Sequence, residues 1–495
     1  MLESFKILFS LTPTFASTIV NHFVKGPPQP SWDIQFHIFV VALKVLFENS
    51  VAKTVEYSQK VTAKGPFLSK KFKEDEIVIP NQFRKKAQPY IEQVIKEYEH
   101  ILDDEWKQFE NDDKVLNAKW IYSKKQGFKR SQENLRVILY LHGGAYCICG
   151  IDSHRPITTN LAKETDALVF GKSIDYRLSP QSQFPAGLHD TIAAYLYLIN
   201  PPEDADFEPI DPKRIVIMGD SAGGGLALAT LLTLRDTGLP MMAGSVCLSP
   251  WVDLTHSMPS RLDPRFDHTD YIPNCFGDLP PSPAFNEYKR KAKKLSSRIK
   301  SETQSPIWDE SFNCDERMHL YVNNEALGIQ FVSPICAESL AGLPPMLIQA
   351  GDCEKLRDEA IYFSFKASQP DKYKLPTYNA GKFERSPFKT PTNVTLEIYE
   401  DMPHVFQLFD FSKPAKISTQ HIGEYIKKLI SHTTSSSFNS SNDLLPSLDF
   451  TKSSYSFITT KGKTLPLNNE HMEVLEWTEV GKMRRPYFKK PVNNS

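Results

Sequence analysis

Arg214-Ile-Val-Ile-Met-Gly-Asp-Ser-Ala-Gly-Gly-Gly225 decides the fold. The β-branched run Ile215 to Met218 reads as a short strand, and Leu226 to Arg235 reads as a helix. Between them, Gly219-Asp220-Ser221-Ala222-Gly223 forms a sharp turn with Ser221 at its apex. A serine hydroxyl becomes a useful nucleophile only when it stands clear of the backbone and meets a base. Gly219 and Gly223 lack the Cβ atoms that would crowd so tight a turn. The helix start after Ser221 points N–H groups toward developing negative charge.

Working upstream, the β-rich run Leu135 to Leu141 leads straight into His142-Gly-Gly-Ala-Tyr146. A strand followed by two glycines lets backbone N–H groups converge on one point, so Gly143 and Gly144 are candidate oxyanion donors, with Ala222 as the third. His142 reads as a brace for that loop. Working downstream, the strand Val394 to Glu400 is followed by Asp401-Met-Pro-His404. A histidine on the loop after the last core strand is where the general base belongs, so His404 is the candidate. The orienting acid should lie between Ser221 and His404, after a core strand. The stretch after Leu347 offers Asp352, Glu354, Asp358 and Glu359. Glu354 falls in the loop before a helix beginning near Leu356; Asp352 and Asp358 are its rivals.

Further strands are expected at Ala118 to Tyr122, Ala167 to Phe170, Gly244 to Leu248 and Pro345 to Gln349, with helices at Ala186 to Leu198 and Ile417 to Ile430. This alternation predicts an α/β fold: a mostly parallel central sheet with helices on both faces. Three regions are expected. Residues 1–114 read as an N-terminal helical cap, 115–432 as the catalytic domain, and 433–495 as a low-complexity tail largely without fixed structure. Long insertions fall at about 255–330 and 368–391, either of which could cover the site. The first contains the run Tyr288-Lys-Arg-Lys-Ala-Lys-Lys, read as a solvated helix face.

Composition narrows the function. The 495 residues carry 58 Lys+Arg against 59 Asp+Glu, which gives no electrostatic case for binding nucleic acid. Seven scattered cysteines suit a reducing compartment better than a disulfide framework. Ile7 to Val20 and Ile34 to Phe47 are apolar but interrupted, and read as amphipathic helices that pack on the domain or touch a membrane surface. Asn393 and Asn439 head glycosylation triplets, which carry no weight without secretion.

Together these residues resemble the hormone-sensitive-lipase branch of the α/β-hydrolases. The resemblance rests on His142-Gly-Gly-Ala-Tyr, Asp175-Tyr-Arg-Leu-Ser-Pro, Gly219-Asp-Ser-Ala-Gly-Gly, Ser249-Pro-Trp-Val-Asp-Leu, Glu354-Lys-Leu-Arg-Asp-Glu and Met402-Pro-His, and covers about residues 115–430. It implies the α/β-hydrolase fold, Ser221 as nucleophile, Glu354 as acid, His404 as base, and Gly143, Gly144 and Ala222 as oxyanion donors. Three departures stand out: Ala145 where a third glycine is common, Glu rather than Asp as the acid, and unusually long insertions. The implied activity is serine carboxylic-ester hydrolysis through an acyl-enzyme. The implied substrate is an apolar ester: a short-chain ester, an acylglycerol or a sterol acetate. No metal or organic cofactor is implied, since the triad supplies both nucleophile and base. The alternative is a non-catalytic ligand-binding receptor or scaffold on the same fold. The expected partners are a small-molecule ester and peripherally a membrane, with the oligomeric state left open. The expected location is intracellular, in the cytoplasm or at the face of the endoplasmic reticulum, and not secreted.

Overall fold

The computed structural model describes residues 12–51, 53–108, 115–128, 135–150, 152–170, 176–273, 280–302, 318–373, 386–434 and 449–484. Asp175, Asn439, parts of both insertions and the tail segments 435–448 and 485–495 lie outside the described residues.

Ten strands form among the described residues: β1 (Phe72–Ile79), β2 (Leu116–Ser123), β3 (Val137–Leu141), β4 (Leu168–Phe170), β5 (Ile215–Asp220), β6 (Gly244–Leu248), β7 (Met346–Gly351), β8 (Val394–Tyr399), β9 (Ser454–Ile458) and β10 (Thr464–Leu465); β2 to β8 fall where the β-branched runs predict them. They join one sheet in the order β1-β2-β4-β3-β5-β6-β7-β8-β9-β10. From β4 to β9 every pairing is parallel; β1, β2 and β10 pair antiparallel at the two ends.

Period-two alternation along the central strands feeds two cores. Val137, Leu139 and Leu141 of β3, with Ile215 and Ile217 of β5, face one. Ile138, Tyr140, Val216 and Met218 face the other. The first core is closed by four helices: α4 (Gln82–Ile95), α6 (Ala186–Ile199), α7 (Ala222–Thr237) and α9 (Arg357–Ser368). The second is closed by α5 (Arg155–Thr165) and α10 (Lys413–Thr433). A sheet covered on both faces needs near-continuous apolar strands, and β3, β5, β6 and β7 are buried at every residue.

Three helices, α1 (Thr12–Lys25), α2 (Ile34–Val51) and α3 (Val55–Thr62), precede the sheet. Trp32, Phe36 and Val40 are buried against Met402, Phe406 and Phe409, so this layer rests on the loop that carries His404. Among the described residues no helix is long and apolar enough to cross a membrane. In the first insertion, α8 (Pro283–Glu302) buries Phe285, Tyr288 and Ile299 and exposes Lys289, Lys293 and Lys294, the solvated face expected of the lysine run.

Two expectations need correction. Residues 1–114 are not a wholly helical cap: β1 pairs along its full length with β2, and α4 packs into the main core. The charged residues Lys73, Glu74, Asp75 and Glu76 hide this strand, which is tolerable because it is an edge strand and only partly buried. The tail is also more ordered than its composition suggests. Residues 454–458 extend the sheet beside β8, and Tyr455 stacks on Phe365 at 4.0 Å. The Trp477 indole then donates to Ser257 O at 3.1 Å.

Candidate active site

Ser221 sits between β5 and α7 with φ 52° and ψ −123°, a conformation that non-glycine residues rarely adopt. The surroundings hold it there. Its N–H donates to Leu248 O at 2.8 Å, and its carbonyl accepts the Trp251 N–H at 2.9 Å. The glycines are required sterically: a Cβ on Gly219 would lie 2.3 Å from Gly223 O, and one on Gly223 would lie 2.2 Å from Leu141 O. The elbow therefore nests against the end of β3, next to the His142 loop.

That loop is built around Asp220. Its carboxylate accepts the Tyr140 hydroxyl at 2.5 Å and the Gly143 N–H at 3.2 Å, and His154 Nε2 lies 3.1 Å away. Burial works against the charge on Asp220, but His154, Tyr140 and His142 outweigh it and hold the carboxyl below its ordinary range. The Gly143 amide is thus turned onto Asp220. Gly144 and Ala145 line the cavity in front of Ser221 instead. Ala145 takes φ 53°, in the left-handed region that favours glycine. The His142 ring stacks on Tyr176 at 4.4 Å, and its Nδ1 lies 2.6 Å from Gly143 O. Burial, helped by His154, pushes His142 down to about 4, so it is a neutral brace at physiological pH.

His404 follows β8 on a loop with left-handed residues on either side, Asp401 (φ 60°) and Val405 (φ 44°). The Trp32 indole donates to Asp401 O at 2.6 Å, tying the N-terminal layer to this loop. His404 Nδ1 lies 3.5 Å from Glu354 Oε1. The other oxygen, Glu354 Oε2, accepts the Gly351 N–H at 2.7 Å and the Ser249 hydroxyl at 2.7 Å. Burial raises the Glu354 carboxyl, and the neighbouring His404 partly offsets that rise. The three other carboxylates of this stretch turn away. Asp352 lies 2.7 Å from His471 Nε2, Asp358 accepts Arg357 Nε at 2.9 Å, and Glu359 accepts the Val252 N–H at 2.6 Å.

Ser221 and His404 open on one cavity of about 670 Å³. Its walls are mostly apolar: Phe39, Leu43 and Phe47 from α2, Phe67 from the loop after α3, and Trp251 and Tyr271 from beyond β6. Asp220 and Ser249 both stand inside the motifs around the site, but their residue types alone do not announce the contacts they make. Among the described residues, no group of three or more His, Cys, Asp or Glu side chains could hold a metal ion.

The chain's similarities fit this geometry. Residues 138–274 match the sequence profile of the α/β-hydrolase fold family. An acetyl-hydrolase of Streptomyces hygroscopicus is 29% identical over 297 residues, covering 59% of this chain and 73% of that protein. Neutral cholesterol ester hydrolase 1 of Mus musculus is 40% identical over 107 residues, 21% of this chain and 26% of that one. A solved esterase of the bacterial hormone-sensitive-lipase family superposes with a TM-score of 0.51 at 25% identity, covering 79% of this chain and 98% of its own.

Proposed function

We propose that this chain, which belongs to the hormone-sensitive-lipase family of α/β-hydrolases and is a carboxylic ester hydrolase, works through Ser221, His404 and Glu354 on apolar esters. The observation that carries the reading is that Ser221 and His404 share one cavity while Glu354 stands behind His404, Oε1 to Nδ1.

In the first half-reaction His404 Nε2 takes the proton of the Ser221 hydroxyl as Oγ attacks the ester carbonyl carbon. The carbonyl electrons move onto oxygen, and backbone N–H groups stabilise that oxyanion. Since Gly143 donates to Asp220, the reading assigns this task to Gly144, Ala145 and Ala222. The tetrahedral intermediate collapses, the C–O bond to the alcohol breaks, and His404 returns its proton to the departing alkoxide. Water then enters by the same steps in reverse and releases the acid and free Ser221. Glu354 orients the His404 ring and stabilises its imidazolium form.

The apolar walls favour an ester whose acyl or alcohol part is hydrocarbon. The cholesterol ester hydrolase among the relatives supports the sterol-ester end of that range, the acetyl-hydrolase the short-acyl end. Esters with long hydrocarbon parts partition from water into membranes. A fluorophosphonate probe tests the reading. Mass spectrometry should find the label on the Ser221 peptide and not in Ser221→Ala. A folded wild type that takes no label would favour a non-catalytic ligand-binding protein.

A further inference from the structure

Large exposed apolar side chains gather on the N-terminal layer. On α1, Ile19, Val20, Phe23 and Val24 are 41%, 61%, 72% and 76% exposed. Their spacing places all four on one helical face, while Thr18 is buried on the other. The α1 helix packs on α2, where the His22 and His37 rings lie 5.4 Å apart. Two residues beyond His37, Phe39 is still 37% exposed and also lines the cavity in front of Ser221. Phe67, fully exposed, lines the same cavity from the loop after α3.

Single exposed apolar residues are ordinary; four on one face of a helix, with exposed Phe39 and Phe67 at the wall of an apolar cavity, mark a surface that meets another apolar phase. The charges say which phase. Phe67 stands in Lys64-Gly-Pro-Phe-Leu-Ser-Lys-Lys71, where Lys64, Lys70 and Lys71 are exposed and no acidic residue intervenes; Lys73, just beyond, pairs with Asp75 at 2.8 Å. Lys25 closes α1. An aromatic side chain set among lysines, in a layer that also presents a helix with one apolar face, is the pattern that enters the headgroup region of an anionic bilayer. A second copy of the chain would bring these lysines against each other.

We infer that this face docks on an anionic lipid surface, with α1 lying in the interface and Phe67 inserted beside the cavity mouth. An apolar ester would then pass from the bilayer into the cavity along Phe67 and Phe39 without crossing water. The docking stands independently of the catalytic assignment; the entry route rests on the esterase reading.

The test is co-sedimentation of the full chain with sucrose-loaded vesicles of phosphatidylcholine alone or mixed with phosphatidylserine. Two variants are compared, Val20→Ser/Phe23→Ser/Val24→Ser and Lys70→Glu/Lys71→Glu, neither of which alters a cavity-lining residue. The expected result is wild-type binding to the mixed vesicles, about tenfold weaker without phosphatidylserine and about tenfold weaker in each variant. Hydrolysis of soluble p-nitrophenyl acetate should be unchanged. Equal binding by both variants, or no binding by the wild type, overturns the inference. So does a wild-type dimer, seen by light scattering, that the same substitutions dissociate. A wild type that sediments with vesicles yet hydrolyses no ester upholds the docking and removes the esterase reading alone.

Discussion

The Ser249 hydroxyl joins the two halves of the site: it donates to Glu354 Oε2 at 2.7 Å and accepts the Val405 N–H at 3.0 Å. One side chain therefore sets both the carboxylate behind His404 and the backbone just after it. Ser249 itself has φ 43°, so β6 ends in a turn that aims the hydroxyl between the two loops. Ser249→Ala should leave Glu354 and the Val405 amide each short of a partner, and a hydrogen bond to a charged group is worth about 1.5–3 kcal/mol. We expect kcat to fall about ten- to a hundredfold, with KM little changed. Steady-state kinetics on a soluble ester gives both numbers, and a change confined to KM would show that Ser249 does not act through the triad.

Glu354 and Asp352 offer a direct contrast. Glu354→Gln should lower kcat by roughly three to four orders of magnitude, since an amide cannot stabilise the imidazolium and favours the wrong tautomer. Asp352, paired with His471, should tolerate Asn with a loss within about tenfold in kcat. The reverse order would move the acid to Asp352.

The loop after His142, to which the proposal assigns the oxyanion, can be tested through its backbone. Gly144 has φ 112°, and a Cβ there would fall 2.3 Å from Ile148 O. Gly144→Ala should therefore lower Tm and cost at least about a hundredfold in kcat, near the value of one oxyanion donor. Ala145→Gly relaxes φ 53° but frees the unfolded chain, two effects of about 1 kcal/mol that oppose each other. Its Tm and kcat should stay close to wild type. Thermal melts and kinetics on the two variants separate backbone geometry from a general sensitivity of the loop.

Away from the cavity, Asp190 lies between two buried guanidiniums, 2.7 Å from Arg84 Nε and 3.0 Å from Arg177 Nη2. Burial opposes its charge, but Arg177 and Arg84 prevail and bring it down to about 2. Because the folded value lies below the unfolded one, near 3.9, the stabilisation is complete above about pH 4 and is lost as pH falls through about 2. Asp190→Asn should cost about 3–5 kcal/mol at neutral pH, and the gap to wild type should narrow between pH 4 and 2. Urea unfolding of both proteins across that range is the check.

Much of this was legible in the residues. The β-branched runs located the central strands, and the glycines around Ser221 announced a turn that admits no Cβ. The Met402-Pro403-His404 loop was visible because it follows the last strand of the alternating series. What was hidden depended on contacts distant in sequence. β1 carries charges on an edge that only β2 covers. The tail orders because Tyr455 and Trp477 find partners at Phe365 and Ser257. The Gly143 amide points to Asp220, seventy-seven positions away, where local spacing suggested an oxyanion donor. The choice of Glu354 over Asp352 and Asp358 turns on which carboxylate lies beside His404, a matter of side-chain direction that four acids within eight residues cannot reveal.

The central claim is that Ser221 is the nucleophile and His404 its base. The most direct measurement is kcat for p-nitrophenyl butyrate by wild type, Ser221→Ala and His404→Ala, each shown to be folded by its thermal melt. The account predicts that the wild type turns over and that both variants lose several orders of magnitude, to similar residual rates, because residues of a triad act as a unit. A folded Ser221→Ala or His404→Ala protein that keeps wild-type kcat would contradict it.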